Sequence, residues 1–239
     1  MSSDALRPDT LDLLRRASTA TITTQLFSRG LRNCFLHGLR PLDAEHARFA
    51  AEAFTLRYIP AREDLDTLDV FRDYDHPQRL AIESAGPGQV LVMDSRGDGR
   101  AASAGHILVT RLLRRGVAGL VTDGSVRDSP SIARSGLPVF VSGVSATTNL
   151  ALHHAVDMQV PIGCAGVPVY PGDVVVGDQE GVVCVPRHLA DEIAEPALEQ
   201  ERLERFVLDQ IDGGAPLRGV YPPDEQTMER YRAARPEQP

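Results

Sequence analysis

Residues 116–128 read GVAGLVTDGSVRD, and the rest of the chain is ordered around this stretch. A short apolar run from Val117 to Val121 leads to Asp123-Gly124, which reads as a turn, and the pair Arg127-Asp128 follows. An apolar strand that empties into a turn and then presents a cation beside an anion marks a site at the carboxyl end of a strand. Arg127 carries the planar fork that clamps a carboxylate, and Asp128 carries the hard oxygens that a divalent cation takes. A surface turn closed by an ordinary salt bridge fits the same residues.

Upstream, residues 89–94 pattern as a strand, 102–115 as a helix closed by Gly116, and 118–122 as the next strand. Strand, helix, strand in that order predicts a parallel α/β unit. Residues 94–105, DSRGDGRAASAG, join the first strand to the helix, with Ser103 as a candidate cap. The first amides of a helix lack internal partners, so the backbone at Gly105, His106, Ile107 and Leu108 can bind a carboxylate or enolate oxygen. His106 shares a helical stripe with Ala102, Val109 and Leu113, which suits a packed side chain; its place at a helix start beside a glycine loop suits a base or a ligand, since neutral imidazole can be either.

Outward from this unit, residues 9–17 and 18–29 pattern as helices, 53–59 as a strand, 62–77 as a charged loop and 77–84 as a brief helix opened by Pro77. Beyond it, strands are expected at 138–142, 157–162, 173–176 and 182–185, with Asp173 and Asp178 shaping turns. An acidic helix at 189–210 is interrupted early by Pro196, and a proline-rich arm follows Gly213. The simplest organisation is one α/β domain over residues 1–212, with residues 213–239 as a C-terminal arm that can serve an intersubunit contact.

The 239 residues carry a formal charge of -8, which disfavours nonspecific contact with nucleic acid through a basic surface. No apolar run reaches the length of a membrane span, and MSSDALRPDTLDLL lacks the basic-then-apolar pattern of a leader, so a cytoplasmic protein is expected. Cys34, Cys164 and Cys184 are spaced like reduced buried thiols, and His37, His46, His76, His153, His154 and His188 lack ligand spacing. Neither dinucleotide nor phosphate-loop glycine fingerprint occurs, so no nucleotide cofactor is expected. Every one of the 25 Lys-plus-Arg residues is arginine. Without lysine no Schiff base can form, and any carbonyl chemistry must hold an enolate by a metal or by fixed hydrogen bonds.

The run GVAGLVTDGSVRD resembles the RraA-like proteins, which include metal-dependent class II pyruvate aldolases and regulators that bind a ribonuclease. The resemblance extends from STATITTQL (residues 18–26) through PGDVVVGDQEGVVCVP (171–186) into the acidic helix. It implies a swivelling-domain-like β/β/α sandwich, assembled as a homotrimer or hexamer with sites between subunits. It implies that Arg127 binds the pyruvyl carboxylate, that Asp128 holds Mg or Mn, and that Gly105, His106, Ile107 and Leu108 meet the substrate. A glutamate of a neighbour's acidic helix, Glu201 or Glu204, completes such a site. The aldolase pattern places an aspartate, then twenty intervening residues, then Arg-Asp; here the aspartate's position is His106.

The resemblance therefore implies a carbon-carbon lyase acting on a small 2-oxo (di)acid, with oxaloacetate decarboxylation as a related activity and His106 in the water-activating place. A noncatalytic ribonuclease regulator and a sugar-acid dehydratase or hydrolase are the alternatives on the same scaffold.

Overall fold

The computed structural model describes residues 5–234; residues 1–4 and 235–239, the outer ends of the N-terminal stretch and of the expected arm, lie outside the described residues. The first half of the chain forms α1 (Thr10–Arg16), α2 (Thr19–Ser28), β1 (Arg40–Pro41), β2 (Phe49–Pro60), α3 (Pro77–Ser84), β3 (Gln89–Asp94), β4 (Ala102–Ala104) and α4 (His106–Arg114). Then come β5 (Gly119–Val126), α5 (Ser129–Ala133), β6 (Val139–Val144), β7 (His153–Met158), β8 (Ile162–Cys164) and β9 (Val167–Val169). The chain closes with β10 (Val174–Gly177), β11 (Val182–Val185), α6 (Arg187–Asp212) and α7 (Glu225–Ala234).

One sheet takes the order β1-β6-β5-β3-β2-β10-β11, with β4 beside β5 and β7 beside β2, while β8 and β9 form a separate hairpin. Strands β2, β3, β5 and β6 run parallel, as the strand-helix-strand alternation predicts. Both sheet faces are apolar because both are covered. In β3, Leu91 and Met93 pack beneath α3, α4 and α5, whereas Val90 and Val92 face the β8-β9 hairpin. Hairpin, sheet and helices therefore stack in a β/β/α order. A third core joins Leu14, Ile22, Leu26 and Ile193 of α1, α2 and α6 to Val174 and Val183 of β10 and β11.

Several elements differ from the sequence expectation, each through a tertiary contact. Residues 102–104 are not the start of a helix; they form β4, paired parallel with β5. Ser103 is no cap, because its Oγ lies within 2.6 Å of Ser95 Oγ and 3.1 Å of Thr122 Oγ1 in a buried hydroxyl cluster. Gly105 takes the N-cap position instead. Asp123-Gly124 is not a turn but the buried middle of β5, where the register shifts. The single strand expected at 157–162 is the end of β7 and the start of β8.

Helix α6 runs unbroken through Pro196. An interior proline costs about 3 kcal/mol. The buried Ala190, Ile193, Ala194, Ala197 and Val207 of α6 outweigh it, since a fully buried aliphatic side chain of Val or Ile size contributes about 1.5–3 kcal/mol. Past Gly213 the chain folds back as α7, and Tyr231 donates its hydroxyl to Glu199 Oε1 at 2.9 Å and packs on Phe206. No helix among the described residues is long and apolar enough to cross a membrane.

Candidate active site

Strand β4 and the turn after it form the floor of a cleft of about 280 Å³. Ala102, Ser103, Ala104 and Gly105 lie along the floor, Ile107 and Leu108 of α4 stand at one side, and Arg127 and Asp128 close that end. Phe71, Gln78, Arg79, Thr148 and Asn149 complete the lining. The residue after β5 is held by the neighbouring strand, since the Arg127 N–H donates to Ala104 O at 3.0 Å. Asp128 then turns left-handed, at φ 61° and ψ 28°, a conformation aspartate tolerates better than most residues.

That turn aims the Asp128 carboxylate back at α4, where Oδ2 accepts the His106 N–H at 3.2 Å. The same oxygen lies 3.7 Å from Arg127 Nε, and both side chains are 48% exposed. Gly105 makes this approach possible: a Cβ there would lie 3.1 Å from both Arg127 Cγ and Asp128 Oδ2. The amides of Ile107 and Leu108 belong to the first turn of α4 and have no helical partner. A cation, a carboxylate and first-turn amides thus face one small cavity.

The site rests on a buried frame. Asp123 accepts the N–H groups of Ser95 at 2.6 Å, Gly97 at 2.9 Å and Ala165 at 3.1 Å, tying β5 to the turns after β3 and β8. Burial pushes its carboxyl above the usual range, against the pull of these bonds. Gly124 sits under the hydroxyl cluster, where a Cβ would come within 2.7 Å of Ser95 and 2.8 Å of Ser103 Oγ. Gln78 donates to Ser103 O at 2.7 Å and to the Tyr58 hydroxyl at 3.0 Å, docking α3 on β4.

The structure brings Gly105, Ile107, Leu108, Arg127 and Asp128 together, while within the one chain the His106 ring, Glu201 and Glu204 lie outside the cleft wall. His106 touches the site through its backbone N–H, and its ring is not part of the cleft wall. Glu201 lies in a different groove, of about 410 Å³, among Arg15, Arg48 and Arg202. Its Oε1 accepts the Ser18 N–H at 2.8 Å at the start of α2. Burial raises the Glu201 carboxyl, but the bonds from Ser18 and Thr21 and the nearby Arg48 outweigh it, and the net shift is downward. Glu204 accepts from Gln200 Nε2 at 2.7 Å. Gln78, Arg79 and Asn149 carry no local signal in the sequence; only the packing of α3 and of the 3-10 turn at Asn149–Ala151 against β4 puts them at the cleft.

The described residues contain no group of three His, Cys, Asp or Glu side chains that could hold a metal. Among the described residues, Asp128 is the one carboxylate in the cleft wall. A half-exposed single carboxylate suits Mg or Mn, which keep most of their waters and take one or two protein oxygens.

A 4-hydroxy-4-methyl-2-oxoglutarate aldolase of Thermus thermophilus is 31% identical over 141 residues, covering 59% of this chain and 77% of that protein. Protein DlpA of Legionella pneumophila is 26% identical over 231 residues, 97% of this chain but 35% of DlpA. The chain also spans 64% of a relative from Halalkalibacterium halodurans, so some curated relatives are considerably longer than the matched region. The crystal structure of Streptomyces coelicolor RraAS2, an unusual member of the RNase ES inhibitor RraA protein family, superposes with a TM-score of 0.74 at 30% identity, covering 86% of this chain and 98% of that one. The sequence model of the RraA-like family, Aldolase/RraA, matches residues 19–184, from the first residue of α2 to the middle of β11, and the protein belongs to that family.

Proposed function

We propose that the protein is a divalent-metal-dependent carbon-carbon lyase that releases pyruvate from a small 2-oxo acid. The observation that carries this reading is the convergence of Arg127, Asp128 and the first-turn amides of α4 on one cleft. Arg127 pairs with the substrate carboxylate through its guanidinium fork. Asp128 is the residue that would hold Mg or Mn, and the ion supplies Lewis-acid polarisation of the 2-oxo group when bound. The amides of Ile107 and Leu108, at the positive end of α4, stabilise the negative charge that develops on oxygen.

With 4-hydroxy-4-methyl-2-oxoglutarate, named for the Thermus relative, the atoms balance simply. The 4-hydroxyl loses its proton, the C3–C4 bond breaks, and its electron pair passes into a pyruvate enolate. The oxygen that lost the proton becomes the carbonyl of a second pyruvate, and a proton returns to C3 of the first. Water reaches the half-exposed Arg127 and Asp128 and is the proton acceptor this open geometry offers. Loss of CO2 from oxaloacetate leaves the same enolate and draws on the same groups.

The test is pyruvate release by the purified chain with Mg or Mn. Release from 4-hydroxy-4-methyl-2-oxoglutarate or oxaloacetate that disappears in Arg127→Ala supports the reading. Absence of pyruvate from both acids would sink it. In a homotrimer or hexamer, Glu201 or Glu204 of α6 would serve a neighbour's cleft; light scattering gives the assembly, and Glu201→Gln then reads the contribution.

Regulation without catalysis is the second reading, favoured by the likeness to the Streptomyces structure. It requires direct binding to an RNase E-type ribonuclease and slowing of its cleavage rate. Neither effect would be expected of the lyase alone.

A further inference from the structure

Cleavage of a hydroxylated oxo acid needs a group that takes the hydroxyl proton, or that holds the water taking it. The aldolase pattern has an aspartate where this chain has His106, and the His106 ring is not part of the cleft wall. Most polar side chains in that wall are already committed. Arg79 and Arg127 can only donate. Ser103 Oγ is shared between Ser95 and Thr122, and Thr148 Oγ1 donates to Asn149 Oδ1. Asp128 is the carboxylate assigned to the ion. Gln78 remains.

Gln78 is 4% exposed, and its amide is held in one orientation. Nε2 directs both of its hydrogens into the protein, to Ser103 O at 2.7 Å and to the Tyr58 hydroxyl at 3.0 Å. The Tyr58 hydroxyl in turn donates to Ser103 O at 3.3 Å. A carbonyl only accepts, so turning the amide over would set two oxygens against each other. Oε1 is therefore the free end. It accepts no hydrogen bond among the described residues and, unlike the sealed Asn149 Nδ2, it is not closed off from solvent. A fixed, uncharged acceptor on a cleft of about 280 Å³ suits a water, whose share of liquid volume is about 30 Å³. A water that donates to Oε1 keeps its own lone pairs for a hydroxyl in the cleft.

We propose that Gln78 is the positioning residue for proton removal: its Oε1 holds the water that accepts the substrate hydroxyl proton as the C3–C4 bond breaks. The inference rests on the lyase reading and deepens it. The water passes the proton to solvent, the electron pair of the broken bond enters the pyruvate enolate, and a solvent proton returns to C3. Gln78 itself neither gains nor loses a proton. Loss of CO2 from oxaloacetate also breaks a carbon-carbon bond, but it releases no hydroxyl proton and has no use for this water.

That difference supplies the test. Pyruvate release by the full chain with Mg or Mn is followed from 4-hydroxy-4-methyl-2-oxoglutarate and from oxaloacetate, for wild type and Gln78→Met. Methionine keeps the length of the side chain and removes the acceptor. The ratio of cleavage to decarboxylation should fall at least about tenfold, below the usual range for losing a general base because the water itself remains. The loss should lie in the kcat for cleavage, with KM moving less than about twofold. If Gln78→Met fails to fold, Tyr58→Phe removes one of the two acceptors that orient the amide and should lower the same ratio a few-fold.

An equal fall in both reactions, or a raised KM at unchanged kcat, shows that Gln78 only supports β4; it overturns this inference and leaves the lyase reading standing. An unchanged ratio in the folded variant does the same, as does a wild type that decarboxylates without cleaving. A wild type that cleaves only is judged by kcat against KM. Absence of pyruvate from both acids overturns the lyase reading, and the role of Gln78 with it.

Discussion

The Asp128 carboxylate accepts the backbone N–H of His106 at 3.2 Å, so the turn after β5 is joined to the first turn of α4 by a main-chain bond and not by the imidazole. An alanine at 106 keeps that N–H. His106→Ala should therefore retain pyruvate release within about tenfold of wild type, less than the usual loss on removing a general base. Steady-state kinetics beside Arg127→Ala makes the comparison; a loss in His106→Ala as large as in Arg127→Ala would show that the ring enters the cleft.

Asp128→Asn preserves shape while removing the charge. Divalent-cation affinity, read by calorimetry, should fall at least about tenfold, since a hard cation on one carboxylate depends on that charge. The melting temperature should move little, because the side chain is 48% exposed and its pair with Arg127 is a surface contact.

Gly105→Ala places a methyl group 3.1 Å from Arg127 Cγ and Asp128 Oδ2. Its backbone, at φ -124°, admits any residue, so the effect is purely on the two side chains that must give way. Stability should change by less than about 1 kcal/mol, because partly exposed side chains can shift. Ligand affinity should drop several-fold, and a variant that binds as wild type would show that the close approach is unimportant.

Gly124→Ala should be far more damaging to folding. The added Cβ meets Ser95 Cβ and Oγ at 2.7 Å and Ser103 Oγ at 2.8 Å, inside a cluster with no room to relax. Overpacking of this kind costs about 1–3 kcal/mol, visible as a lower urea midpoint with an unchanged slope.

Stability should fall on acidification through two buried imidazoles. Burial holds His153 below the ordinary 6.5, and burial together with neighbouring His154 does the same to His76. The unfolded chain takes up these protons near pH 6.5, and the folded chain only at lower pH. Their contribution is full above that value and is lost as pH falls through the folded values. Asp123 and Asp173, raised by burial, act in the opposite sense: their contribution is full below 3.8 and is lost as pH rises through their folded values. The sharper measurement is the difference between variants: His153→Gln should show a shallower fall in melting temperature from about pH 7 to 5 than wild type.

Strand β3 at Gln89–Asp94 and helix α3 at Pro77–Ser84 follow from local pattern alone, because an apolar run and a proline at a helix start carry their own signals. The Arg127-Asp128 pair is equally plain, as is the glycine before α4. Residues 102–104 mislead: Ala-Ser-Ala suits a helix by propensity, and only the pairing with β5 and the hydroxyls of Ser95 and Thr122 hold it extended. Asp123-Gly124 has turn composition, yet three donated amides make a buried strand aspartate tolerable.

Composition and periodicity were enough for the parallel α/β unit and for the cation-anion pair at the end of its strand, since both are set by residues close in the chain. Which groups face that pair was decided by folding. Gln78, Arg79 and Asn149 reach the cleft only because α3 and the 3-10 turn at Asn149–Ala151 pack against β4, and within the one chain Glu201 bonds to the start of α2. Local sequence encodes which chemistry is available, and long-range burial selects which of it shares a cavity.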